Sequence, residues 1–388
     1  VTQEVSTGVA AFVALLGIAL LISVAAERVH VPAAALLVIV GAIAGSVSHV
    51  QAPFAFGPAV LFVFLPPLIF EAGWHLDLAM LRTHFARIAL LAVPGTIVSA
   101  CAVAGALAAI GVLPFGSALL LGAMISATDP VAVVAVFRHA AVPAAVRTIV
   151  EAESLANDGV AVVIFGIALA AIEGTGTAWL PAIGIGVLEV FGGILTGAVC
   201  AIPFWLILRG ARSSEHEVTA TIALAYVAYL AADHAAFSGI FATAAAAIAL
   251  RALLHERAYM DNRDDVDNFW NSTAYLANAA VFLATGLVID LPRAFHEPLL
   301  VIAVIGAIAV SRAAFSLIAG SDRAARVTIF LAGMRGALPL ALALALPPGL
   351  PHRAELIDGV FAVVLVTLVA QGFSLEPVVK RLYGSMAE

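Results

Sequence analysis

Apolar runs of bilayer length succeed one another from end to end of this sequence, divided by Pro, Gly or charge. A helix of about 20 apolar residues crosses a hydrocarbon layer roughly 30 Å thick. Thirteen runs are predicted to span, at roughly 5–26, 33–48, 54–72, 85–111, 115–137, 146–172, 179–208, 217–233, 237–254, 268–290, 297–319, 326–346 and 355–378. Run 33–48 is short enough for a tilted or partial span. Only 11% of the residues are charged, against about 25% in a soluble domain. The chain therefore reads as an all-α polytopic membrane protein. Its first run has no basic residue before it and is too long for a signal-peptide core, so it reads as a retained span. Cys101 and Cys200 both fall inside apolar runs, which predicts buried, inert thiols and no disulfide framework.

Cytoplasmic loops of membrane proteins concentrate Lys and Arg. Alternate connections here hold Arg28; Arg82 and Arg87; Arg138 and Arg147; Arg209 and Arg212; Arg251, Arg257 and Arg263; Arg323 and Arg326; then Lys380 and Arg381. The opposite connections hold Arg293 and Arg353 alone. One missed or invented helix would scramble this asymmetry. It predicts an external N-terminus and a cytoplasmic C-terminus. Arg312 and Arg335 remain, both inside spans.

Thirteen spans divide as six, one and six, and the offset of seven makes matching helices run in opposite directions. That is the inverted-repeat plan of secondary transporters. The fifth and twelfth spans correspond under this offset, and both are interrupted. One reads Ser126-Ala-Thr-Asp-Pro130 and the other Gly333-Met-Arg-Gly336, with Pro339 following. Paired interruptions of this kind point to a binding site near the midplane, whereas either alone is an ordinary proline kink.

The polar stretch Glu151-Ala-Glu-Ser-Leu-Ala-Asn-Asp158 opens the sixth span. Eleven residues separate Asp158 from Arg147, which puts the carboxylate roughly 16 Å into the layer, near its centre. An ionised carboxylate there costs on the order of 3 kcal/mol. Glu71, Asp129, Glu153, Arg312 and Arg335 fall in the same layer by the same arithmetic. Together the six would cost on the order of 18 kcal/mol unpaired, more than a typical domain's whole stability. Glu153 and Arg312 match in depth as an ion pair. Asp129 and Arg335 are suited to neutralise the ends of broken helices. Asp158 is left without a cation of its own, so its partner is expected to be mobile: a proton or a metal ion.

Five motifs in order, Leu65-Pro-Pro-Leu-Ile-Phe-Glu-Ala-Gly73, Ala127-Thr-Asp-Pro-Val-Ala-Val133, Glu153-Ser-Leu-Ala-Asn-Asp158, Ser311-Arg312 and Gly333-Met-Arg-Gly-Ala337, resemble the sodium/proton exchangers of the NhaP/NHE type, the monovalent cation:proton antiporters. The likeness covers nearly the whole chain; Met334 stands where leucine is commoner. The resemblance implies a secondary transporter and not an enzyme, working as a homodimer in the cell membrane. Asp158 would hold a cation (Na⁺, with Li⁺ also accepted) and a proton in turn. Asn157, Ser154 and Thr128 would orient or coordinate the ion, and Glu71 would approach from the third span. Asp129, Glu153, Arg312 and Arg335 would be structural or electrostatic. No cofactor is implied beyond the transported Na⁺ and H⁺. One carboxylate beside an asparagine implies electroneutral exchange. The resemblance also implies an elevator-like motion. Transport helices would lie at 84–175 and 297–388. Scaffold and dimerisation helices would lie at 1–83, and the linker helix with the rest of the scaffold at 176–296.

A K⁺/H⁺ antiporter of the same fold is the nearest alternative, since carboxylate and carbonyl oxygens serve either cation. A channel is another. An intramembrane aspartyl protease would use Asp129 and Asp158, but the expected Gly-x-Gly-Asp surroundings are missing and Asn157 and Arg312 would have no role. The histidines, among them His139, His216 and His255, are expected at solvated helix ends. The segment Asp261-Asn-Arg-Asp-Asp-Val-Asp267 lacks the glycine turn and closing glutamate of a calcium loop and reads as a solvated cytoplasmic link. Trp74, Trp179 and Trp270 fall at span ends, as interface anchors do. No nucleic-acid motif is present.

Overall fold

The computed structural model describes residues 2–29, 33–48, 58–137, 140–174, 179–210, 213–255, 263–288 and 291–384. The regular elements among them are helices: α1 (Thr2–Val29), α2 (Ala33–Ser48), α3 (Pro58–His75), α4 (Leu78–Leu90), α5 (Thr96–Ala109), α6 (Phe115–Ser126), α7 (Pro130–Phe137), α8 (Ala144–Ile172) and α9 (Trp179–Leu208). Then follow α10 (Ser214–His234), α11 (Gly239–His255), α12 (Arg263–Val288), the short α13 (Leu291–Ala294), α14 (Pro298–Ala319), α15 (Arg323–Leu331), α16 (Ala337–Leu344) and α17 (Arg353–Tyr383). By length and composition, five helical stretches among the described residues suffice to cross a membrane: Leu78–Ala109, Ala144–Ile172, Ile183–Leu208, Pro298–Ala319 and Arg353–Tyr383.

Local sequence explains the interruptions. A π-turn, Leu91–Gly95, joins α4 to α5, because Pro94 brings no N–H to the helical ladder. Pro130 opens α7, where a missing N–H is tolerated. The three residues before it break the apolar run into α6 and α7. Residues 332–336, with two glycines, break the later run into α15 and α16. Helix α4 starts at 78, seven residues before the predicted 85, because the Asp77 side chain accepts the backbone N–H groups of Ala79 and Met80 at 2.9 and 3.0 Å. This is an N-cap.

Three apolar cores hold the helices together. The largest gathers α2, α5, α6, α14, α16 and α17 around Leu120, Met124, Val304 and Val364. A second joins α3, α7, α8, α11 and α15 around Phe137, Val150 and Ile329. The third packs α3, α9, α10, α11 and α12 around Phe70, Trp74 and Trp270. Small residues bring backbones together where lipid gives no hydrophobic drive. Gly193 and Gly197 let α9 meet the Ser238 and Ala242 carbonyls at the start of α11. The α10–α11 turn is tight, with Ala236 left-handed at φ 56°, and Ser238 N–H bonds to the Glu189 carbonyl of α9 at 3.0 Å.

Several sequence expectations are corrected. Trp74 and Trp270 are buried, not interfacial. They flank Phe70, with ring centroids 6.0 and 4.6 Å away. Their indole N–H groups find partners inside, Trp74 on Asp267 at 2.6 Å and Trp270 on Thr221 at 3.1 Å, which removes the need for a wet interface. The Trp179 side chain lies outside the described residues. Of the 261–267 segment, the described residues from Arg263 open α12, with Asp264 and Asp265 exposed and Asp267 bound to Trp74; 261 and 262 lie outside the described residues. Arg147 belongs to the start of α8, not to a loop, and donates to the Phe137 carbonyl at 2.9 Å. Cys101 is exposed on α5 and Cys200 is half-buried; on a lipid-facing helix a thiol is as well tolerated outside as in.

Candidate functional site

The two interruptions meet. The backbone N–H of Asp129, between α6 and α7, donates to the Met334 carbonyl, between α15 and α16, at 2.8 Å. Each break exposes half-helix ends, whose carbonyls attract cations and whose N–H groups attract anions. Both arginines answer a carbonyl end. Arg335 is buried, and its Nη1 donates to the Ser126 and Ala127 carbonyls at 2.9 and 3.2 Å, capping α6. Arg312 Nε donates to the Ile329 carbonyl at 3.1 Å, in the last turn of α15. Asp129 precedes α7 directly, and its carboxylate packs against Gly336 at the start of α16. The acid thus sits at positive ends and the arginines at negative ones.

Helix α8 supplies the rest. Glu153, 1% exposed, takes both Arg312 guanidinium nitrogens, Nη1 on Oε1 at 2.8 Å and Nη2 on Oε2 at 3.0 Å. This bidentate geometry is the strong form of a charged pair. One turn on, Asn157 Nδ2 donates to Glu153 Oε1 at 2.7 Å and to Thr128 Oγ1 at 2.6 Å, while its Oδ1 accepts the Thr128 N–H at 3.3 Å. Ser154 Oγ lies 2.9 Å from Thr128 Oγ1. Asn157 therefore fastens α8 to the unwound 127–129 segment. Its amide bonds go to protein partners.

Asp158 follows at once. Its Oδ1 is buried and makes no hydrogen bond among the described residues. Arg312 and Arg335 bond elsewhere, to Glu153 and to backbone carbonyls. Glu71 is not drawn into this network: it pairs with His75, one turn on in α3, with Nδ1 3.3 Å from Glu71 Oε1 and 3.0 Å from the Glu71 carbonyl. No group of three or more metal-ligating side chains occurs among the described residues. Sequence reasoning missed the carbonyl targets of Arg335 and the Glu153 and Thr128 partners of Asn157. Both depend on which half-helices cross, and no local signal carries that.

A family model described as "Sodium/hydrogen exchanger, transmembrane" matches residues 11–381. The Na(+)/H(+) antiporter NhaP of Pseudomonas aeruginosa is 33% identical, over 84% of this chain and 82% of that protein. The low-affinity Na(+)/H(+) antiporter NhaS1 of Synechocystis is also 33% identical, over 83% of this chain; the chain spans 64% of that relative's length, just under two thirds. The sodium proton antiporter MjNhaP1 of Methanocaldococcus jannaschii, solved at pH 8, shares the fold, with a TM-score of 0.82 at 20% identity over 98% of this chain and 99% of that one. The matched family is one of transporters rather than enzymes. With its crossed half-helices and with these likenesses along nearly its whole length, the chain belongs to the sodium/hydrogen exchanger family.

Proposed function

We propose that this protein exchanges Na⁺, and also Li⁺, for H⁺ across the cell membrane by alternating access, with Asp158 holding either the metal ion or the proton. The observation that carries this reading is the contrast at the crossing. Glu153, Asn157, Thr128, Arg312 and Arg335 are bonded to one another or to backbone, while Asp158 Oδ1 is buried without a partner among the described residues. A carboxylate to which neither arginine is bonded can accept either mobile cation. Hard oxygen ligands suit a hard cation, and Thr128 and Ser154 supply the neighbouring oxygens. Relatives named as Na⁺/H⁺ antiporters support the cation assignment.

In this reading one carboxylate carries one charge each way, so exchange is electroneutral. Twelve of the thirteen spans form two inverted six-helix repeats joined by the linker helix, with the N-terminus outside and the C-terminus cytoplasmic. Helices at 84–175 and 297–388 move against those at 1–83 and 176–296, the latter also pairing two copies. The transporter family leaves the protease alternative without support.

Proteoliposomes with an imposed pH gradient test the proposal. Addition of Na⁺ should dissipate the gradient for the wild type and not for Asp158→Asn. A response to K⁺ with none to Na⁺ would reassign the cation, a current reversing with the ion gradients would refute electroneutrality, and full activity of Asp158→Asn would refute the site.

A further inference from the structure

Gly159, next to Asp158 on α8, has no room for a side chain. A methyl group there would fall on three ring atoms of Phe241, in the first turn of α11. The same phenylalanine touches α9, since its Cβ lies 3.4 Å from where a Gly193 methyl would stand. Phe241 is thus wedged between α8 and α9, beside the residue that follows the free carboxylate.

The wedge lies on one side of Asp158. Helix α8 begins near Arg147, and α9 and α11 end near Arg209 and Arg251, so these basic residues mark one end of the bundle. Phe241 enters from the opposite end, from the α10–α11 turn. That turn reaches deep: Phe237 packs on Gly192 and the Ser238 carbonyl on Gly193, both near the middle of the 30-residue α9. Further along α8 in the same direction, Val163 meets Gly186 of α9. Ile240, in the first turn of α11, and Val162 of α8 belong to one apolar core. Toward the end without the basic cluster, the α8 face beside Asp158 is therefore covered by a ring and aliphatic side chains, with bare glycine backbone beneath the ring. An apolar contact of this kind excludes water and hydrated ions, and it holds without a directional bond.

We propose that Phe241 is the sealing residue of the transport cycle: its ring, seated on Gly159, closes the passage between Asp158 and the arginine-poor side. This deepens the antiport reading and rests on it. Replacing the ring with a small side chain should open a water-filled gap, letting protons cross without a counter-moving cation.

The test measures decay of a pH gradient in proteoliposomes, first without Na⁺ or K⁺ and then after Na⁺ addition. Phe241→Ala is expected to speed the cation-free decay about fivefold or more over wild type. Phe241→Leu, which refills most of the space, should stay within about twofold. Should Phe241→Ala fail to give a monodisperse protein with a cooperative melt, Phe241→Val reads the same seal. Cation-free decay at the wild-type rate in a folded Phe241→Ala or Phe241→Val protein overturns the inference. The wild-type Na⁺ response separates the two readings: if present while the variants stay tight, antiport stands and the seal falls; if absent, antiport falls whatever the variants do.

Discussion

Asn157 grips Thr128 at both ends, donating to its hydroxyl at 2.6 Å and accepting its backbone N–H at 3.3 Å. A single amide thereby fixes the unwound segment between α6 and α7 to the helix that carries Asp158. Asn157→Ala would leave a buried backbone N–H and part of the Glu153 carboxylate unsatisfied. The expected loss is about 2 kcal/mol, read as a lower melting temperature in detergent, with exchange reduced in parallel.

Glu153 and Arg312 form a buried, bidentate pair, so removing one partner strands the other's charge. Glu153→Leu or Arg312→Leu should each destabilise by about 3–5 kcal/mol. The double replacement Glu153→Leu with Arg312→Leu should be less harmful than the two single losses together. A double-mutant cycle on thermal or denaturant stability checks this, and strictly additive losses would show that the pair does not act as a unit.

Gly336 has the Asp129 carboxylate where a side chain would go, with Oδ2 2.6 Å and Cγ 2.7 Å from an added methyl carbon. Gly336→Ala must push the acid away from the start of α16. Exchange should fall at least about tenfold, while Gly349→Ala, at a position with open space around it, should leave it unchanged. Sodium-driven pH change in proteoliposomes is the measurement.

Asp322 caps α15 in the loop after α14, and the Ala325 N–H that it accepts at 2.9 Å holds its carboxyl below the usual range, with Ser321 and Arg326 helping. A depressed native pKa means that stabilisation is complete above the unfolded value, about 3.9, and is lost as pH falls through the native one. The melting-temperature gap between wild type and Asp322→Ala should thus be constant from pH 7 to about 5 and close as the pH drops below 4.

The interruptions were legible because their causes are local: Pro130 and the pair Gly333 and Gly336 weaken the helical ladder where they stand. Asp158 stood out for the same reason, as an acid deep in an apolar run. What the chain hid were relations across long separations. Arg335 reaches carbonyls of Ser126 and Ala127, more than 200 positions earlier. Trp74 looked like an interface anchor until Asp267 came into reach, and Glu71 was expected at the ion yet lies against His75. The pairing of Gly159 with Phe241 has no signature in either segment alone.

The reach of Arg335 has a consequence for biosynthesis. The carbonyls ending α6 enter the bilayer early in translation, and their guanidinium cap is made only when most of the polypeptide has followed. Until then the first half must persist with a raw helix end in or near lipid, sheltered by water or by the insertion machinery. Truncations that stop short of residue 335 should therefore be recognised as defective and degraded, however sound their own helices are.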